Sequence, residues 1–186
     1  MMRKFFSHIK TVLKHKWVVL KLAIKAGIPW QGITHDLSKF SITELKESVK
    51  YYNGKRSPLA LAKEENGYSL AWLHHVGRNK HHYQYWYDYE APNPTPKIPY
   101  KYVVEMICDS LAAGIIYRGK EWTKEYQLSY WNRTKERARI ADELRNMLDE
   151  VYSLVAQDGI DSVVNKKRLR EIYAKNFEHI YIVTKF

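Results

Sequence analysis

Eight side chains able to ligate a divalent cation, or to move a proton near neutral pH, recur in the order His15, His35-Asp36, His74-His75, His81-His82 and Asp109. The dipeptide sits in His35-Asp36-Leu37-Ser38-Lys39, and the last aspartate sits in Glu105-Met106-Ile107-Cys108-Asp109, within an otherwise apolar stretch. At helical spacing the neighbours of Asp109 are Tyr102, Glu105, Met106, Ala112, Ala113 and Ile116. A carboxylate buried among these requires a proton, a hydrogen-bond network or a cation. An ion pair with Lys or Arg is the alternative that needs no metal. Ala112 and Ala113 leave space beside it for a metal and a substrate. Between the two aspartates, helical spacing places His75, Asn79 and His82 on one face and His74, Arg78 and His81 on the next. One face is then suited to ligation and the other to anions, unless all four histidines form a solvated polar surface.

These groups must be positioned by helices. From about Ser7 to Ala26, Ile9, Val12, Leu13, Val19, Leu20, Ala23 and Ile24 recur at helical spacing, with Gly27 and Pro29 as stop signals. His15 lies on the Val12, Val19 and Leu22 face, at least half buried, and His8 lies one heptad earlier. Ser41-Ile42-Thr43-Glu44 has the form of a capping box and opens a second helix to about Tyr52. Glu44 is read first as a cap and second as a carboxylate orienting a histidine; Glu105 is equally open. A third helix is expected from Ser57-Pro58, broken near Asn66-Gly67 and resuming from Ser69 to about Trp86. Four prolines in Ala91–Pro99 mark an exposed loop. Helices follow over Tyr100 to Tyr117, about Arg133 to Gln157 and about Asp161 to Lys175, while Ile180–Val183 fits either extended or helical structure. The fold class is all-α.

The length of 186 residues fits one domain. Lys and Arg number 31 against 20 Asp and Glu, a formal charge of +11 that favours anionic partners such as nucleotides, nucleic acid or acidic lipid. Cys108 stands alone, which excludes an intrachain disulfide, fits a reducing compartment, and reads as a small buried apolar residue. Lysines interrupt the N-terminal apolar run, and no stretch approaches the roughly 20 apolar residues of a membrane span. A soluble, cytoplasmic protein without a membrane partner is expected.

In order and context, His15, the His35-Asp36-Leu37-Ser38-Lys39 phrase and the Glu105–Ala113 helix resemble the HD superfamily of metal-dependent phosphohydrolases. His75 and His81-His82 resemble the added histidines of its binuclear and HD-GYP branches, although no Gly-Tyr-Pro triplet follows His82. The chain also resembles an uncharacterised family of small bacterial and phage proteins, which implies no mechanism. The HD resemblance covers about residues 8–118. It implies an HD-like helical core over 1–118, with residues 119–186 as C-terminal helices packed on it. It further implies one metal held by His15, His35, Asp36 and Asp109, with Asp36 bridging to a second held by His75 and His82. Such ligands suit Mn, Fe, Co, Ni or Zn. Lys39 would stabilise the reacting phosphoryl group, and His81 or His74 would protonate the leaving oxygen. Arg78, Asn79, Lys80 and His74 form the expected substrate-binding set, and Tyr51, Tyr52, Tyr83, Tyr85 and Trp86 are candidates for stacking on a base.

Two other readings use the same residues differently. The binuclear iron branch of the superfamily consists of oxygenases, so the second histidine set fits a diiron centre equally. A non-enzymatic basic protein would instead contact nucleic acid through Arg133–Arg139 and Lys166–Arg170.

Overall fold

The apolar periodicities are realised as ten α-helices and no strand among the described residues, 2–178 of a computed structural model. The expectation for Ile180–Val183 lies outside the described residues. Helix α1 (Met2–Lys25) buries His8, Val12, His15, Val19, Leu22 and Ala23 along one face. Pro29 opens α2 (Pro29–Thr34) rather than only stopping α1, because its fixed φ and missing N–H suit a first helical turn. α2 lies so close to α1 that a Cβ on Gly32 would meet the Ala23 Cβ at 2.8 Å and the Leu20 Cα at 3.0 Å. A 3-10 turn over Leu37–Phe40 leads into α3 (Ile42–Tyr51). α4 (Pro58–Asn66) and α5 (Leu70–Val76) follow, the latter capped by Ser69, which accepts from the Trp72 N–H at 3.0 Å.

The third helix is shorter than its histidine spacing suggests. α5 stops at Val76, residues 77–82 form turns, and a 3-10 turn covers Tyr83–Trp86. Gly77 has poor helix propensity, and the Asn79 side chain donates to the His75 carbonyl at 2.8 Å, bonding that competes with helix continuation. The helical faces expected for 74–82 are therefore absent, with direct consequences for His81 and His82.

After the proline-rich loop, α6 (Tyr100–Arg118) forms the central element. Its Val103, Val104, Ile107, Cys108, Leu111 and Ala112 have no exposed surface. They join Val19, Leu22 and Ala23 of α1 to the C-terminal half. There, α7 (Tyr126–Thr134) is a helix the sequence reading missed, and α8 (Asp142–Asp158) begins later than expected because residues 135–141 form a 3-10 turn and an extended link. The expected last helix is two, α9 (Ile160–Val163) and α10 (Lys166–Phe177), because Asn165 caps α10 by accepting from the Arg168 N–H at 2.9 Å. One buried cluster runs from Val19 to Phe177, so residues beyond 118 share their core with those before it.

No helix among the described residues is long and apolar enough to cross a membrane. Because Leu111 is fully buried and Leu13 is 53% exposed, Leu111→Ala is expected to cost about 2–5 kcal/mol in chemical denaturation and Leu13→Ala less than about 0.5 kcal/mol. Equal costs would contradict the assigned core.

Candidate metal centre

Four segments converge where the buried face of α1 meets α6. α1 supplies His15, and α6 supplies Glu105 and Asp109, one turn apart. The turn after α2 supplies His35 and Asp36. Asp36 has φ 54° and ψ 32°, the left-handed region, and is the one non-glycine residue with positive φ among the described residues. Such a conformation is costly except for Asp or Asn and recurs at functional sites. Here it turns two successive side chains into one site, whereas in extended backbone they would diverge. Lys16 donates to the His35 carbonyl and fixes this turn. His75 comes from the end of α5, and the turns after it bring in His81 and His82.

The contacts are short and directional. His35, Asp36, Glu44 and His81 are each 1% exposed and His75 is 2% exposed. His35 Nδ1 and His81 Nδ1 lie 3.0 and 3.1 Å from the same Glu105 Oε1. Glu44 Oε1 and Oε2 lie 2.7 and 2.8 Å from Nδ1 of His74 and His75. Donation from Nδ1 to a carboxylate fixes the orientation of the ring and leaves Nε2 as the atom available to a proton or a metal. Those Nε2 atoms turn inward. His35 Nε2 is 3.2 Å from Asp36 Oδ2, while His75 and His81 Nε2 are 3.3 and 3.5 Å from Asp36 Oδ1. His15 Nε2 is 2.9 Å from Asp109 Oδ1 and 3.3 Å from His35 Nε2. His75 and His82 meet Nε2 to Nε2 at 2.9 Å.

Acceptors facing acceptors at these distances repel unless a proton or a cation lies between them. Both Asp36 oxygens and His81 Nε2 are buried without a partner in hydrogen-bonding geometry. Protons meet part of the demand. Burial opposes ionisation of His35, but Asp36, with Asp109 and Glu105, outweighs it and raises its pKa well above the usual value. Burial likewise opposes ionisation of Asp36 and Asp109. His35 and Lys39 overcome this at Asp36, and hydrogen bonds from His15 and His35 do so at Asp109, so both carboxyls stay far below their ordinary range. Burial lowers His15, and burial followed by the neighbouring His81 lowers His82 well below 6.5, so these two rings stay neutral. Lys39 Nζ is 2.7 Å from Asp36 Oδ2. Burial opposes its charge, yet Asp36 and Asp109 raise its pKa.

One ligand atom from each of His15, His35, Asp36 and Asp109 lies within 4.8 Å of the others, as does one from each of Asp36, His75, His81 and His82. The imidazole and carboxylate donors fit one or two transition-metal ions, with Asp36 shared. His81 is a further member that the sequence reading had assigned to proton transfer. Glu44 is also reassigned. Ser41 does cap α3 by accepting from the Glu44 N–H at 3.3 Å, but the Glu44 carboxylate serves two histidines rather than a capping box.

A cleft of about 640 Å³ opens on this cluster, lined near it by His15, Lys39, His75, His82 and Asp109. It is also lined by Lys55, Arg56, Tyr117, Arg118, Tyr126 and Tyr130. Arg78, Asn79, Lys80 and His74 do not line it. Arg78 is exposed, Lys80 Nζ lies 5.6 Å from the Tyr85 ring centroid, His74 is held by Glu44, and Asn79 donates to Ser38 Oγ at 2.7 Å. Tyr51, Tyr52, Tyr83, Tyr85 and Trp86 also lie off the cleft, as do Arg133–Arg139 and Lys166–Arg170. Apart from Lys39 and Trp72, the basic and aromatic residues that line it come from the loop before α4, the end of α6 and α7, segments without a motif in the sequence.

The family of unknown function DUF5662 matches residues 4–154, from α1 into α8. The chain belongs to this family. No curated protein and no solved structure matches the chain. The stretch shared with DUF5662 contains every residue of the cluster and of its cleft.

Two outcomes follow for this DUF5662 protein. Replacing Glu105 by Gln removes the carboxylate that orients His35 and His81, so metal affinity should fall about 10- to 100-fold. Glu150→Gln, which alters a distant surface pair with Lys175, should leave it unchanged; titration calorimetry with Mn or Zn would separate the two, and equal affinities would contradict the assignment. The raised pKa of His35 also gives a sign. The ring is protonated below that pKa in the free protein, so a metal must displace its proton. Affinity should rise with pH towards the raised pKa, with proton release measurable in buffers of different ionisation enthalpy. Affinity independent of pH would show that His35 is not a ligand.

Proposed function

We propose that the protein is a metal-dependent phosphohydrolase of the HD type, acting on a nucleotide or related phosphoester. The observation that carries the reading is the buried set of imidazole Nε2 atoms and carboxylate oxygens converging on Asp36, beside a cleft lined in part by Lys39, Lys55, Arg56 and Arg118. His15, His35, Asp36 and Asp109 would hold one ion, and Asp36, His75 and His82, with His81, a second. A divalent transition metal bound there supplies Lewis acidity, polarising a phosphoryl oxygen and making water nucleophilic near neutral pH.

The protein's own groups do the rest. Lys39, held cationic beside Asp36, lies on the cleft wall and offsets negative charge that grows on the phosphoryl group. Lys55, Arg56 and Arg118 also line the cleft, Arg56 and Arg118 paired with Glu64 and Glu121, and would meet further phosphate or sugar groups of a substrate. Burial raises the pKa of Tyr117, so its phenol keeps its proton where it lines the cleft. His81, buried with Nδ1 tied to Glu105, suits ligation better than proton delivery.

A second reading rests on Asp36, whose two oxygens face two histidine sets. A shared carboxylate of this kind equally suits a diiron oxygenase. The basic cleft favours phosphoester chemistry, and the assay separates the two. Metal-loaded protein should release phosphate or alcohol from aryl phosphoesters and nucleotides, and Lys39→Ala should lower kcat/KM about 10²- to 10³-fold while keeping its metal. Oxygen uptake with iron, and no hydrolysis with any metal, would replace the hydrolase reading with the oxygenase one.

A further inference from the structure

The face of α1 opposite the cluster is also apolar. Phe6, Leu13, Trp17 and Ile24 form one helical stripe and are 63%, 53%, 59% and 57% exposed. The stripe lies about half a turn around the helix from Val12, His15, Val19 and Leu22, which are buried. α2, packed against Leu20 and Ala23 through Gly32, adds Trp30 and Ile33 at 68% and 54% exposure. Single exposed apolar residues are ordinary, but an aromatic and aliphatic stripe running the length of a helix marks a contact surface. Its charge is one-signed. α1 contains no Asp or Glu, and Lys10, Lys14 and Lys21 follow one edge of the stripe. Lys21 Nζ lies 5.6 Å from the Trp17 ring centroid, and Lys25 reaches Asp161 at 2.5 Å.

We propose that this face docks on the surface of an anionic phospholipid bilayer, with Trp17, Leu13 and their neighbours at the headgroup boundary and the lysines on lipid phosphate. Trp with Lys beside an apolar stripe is the composition of helices that lie in that boundary rather than cross it. A second copy of the chain is a poorer occupant, because self-pairing would bring the lysine rows together with no carboxylate on α1 to oppose them. The docked orientation leaves the catalytic candidate cleft free, since His8, Thr11, Val12 and His15 line it from the other side of the same helix. The inference is independent of whether the cleft hydrolyses phosphoesters.

The test is co-sedimentation of the full chain with phosphatidylcholine vesicles, with and without phosphatidylglycerol, at low and physiological salt. Binding should be strong only with the anionic lipid and weaken with salt. The double variant Leu13→Gln, Trp17→Gln leaves the net charge unchanged and alters only exposed side chains. It should keep its circular dichroism and melting temperature yet bind about tenfold more weakly or less, as expected when apolar insertion is lost. Equal binding by the double variant would reduce the contact to non-specific charge attraction and overturn the proposal. Failure to bind anionic vesicles would also overturn it. If the protein then forms a dimer, or binds polyglutamate, in a manner the double variant abolishes, the face belongs to a second copy or to an acidic protein.

Discussion

Asp36 is 1% exposed, yet three imidazole Nε2 atoms lie within 3.5 Å of its oxygens. A buried carboxylate in that setting cannot be left to water, and the surrounding structure is arranged around meeting its demand for positive charge. Lys39 meets it from one side and an imidazolium on His35 from another. The left-handed backbone at Asp36 is held because α2 is pressed onto α1 at Gly32 and because Lys16 secures the His35 carbonyl. Strain and burial are thus concentrated at one dipeptide and supported by ordinary helix packing around it.

Two glutamates order the rings around this electrostatic knot. Glu105 holds His35 and His81, and Glu44 holds His74 and His75, each through Nδ1. By fixing ring orientation they direct Nε2 of His35, His75 and His81 towards Asp36. Their own pKa values are lowered by the histidines they orient, against the opposing effect of burial. The same carboxylates that order the rings therefore remain ionised at any pH where the rings are able to ligate.

Much of this was legible in the chain, and the exceptions have physical causes. The apolar face of α1 placed His15 correctly, and the apolar surroundings of Asp109 pointed to a paired carboxylate because burial of charge has few solutions. The helix between the histidine pairs was misread because one glycine and one asparagine with local side-chain bonds outweighed a persuasive periodicity. With the helix lost, His81 moved from an anion-binding face into the buried cluster. For Glu44 the capping-box spacing with Ser41 favours a cap, and its second reading, a carboxylate orienting a histidine, is the one the structure realises, because spacing alone does not reveal which histidines another helix brings within reach. The cleft residues Lys55, Arg56 and Arg118 had no local signal; only the folding of α3, α4 and α6 around the cluster brings them to one wall.

The central claim is that this cluster is built for a metal rather than for protons alone, and metal stoichiometry tests it most directly. Protein purified without a histidine tag, incubated with Mn, Fe or Zn and freed of excess, should contain one or two ions per chain by elemental analysis. Asp36→Asn, which keeps a residue tolerant of the left-handed backbone, should lose them while remaining folded. Wild-type protein that takes up no metal under these conditions, or an Asp36→Asn variant that retains its full complement, would contradict the account and leave the cluster as a proton-balanced structural core.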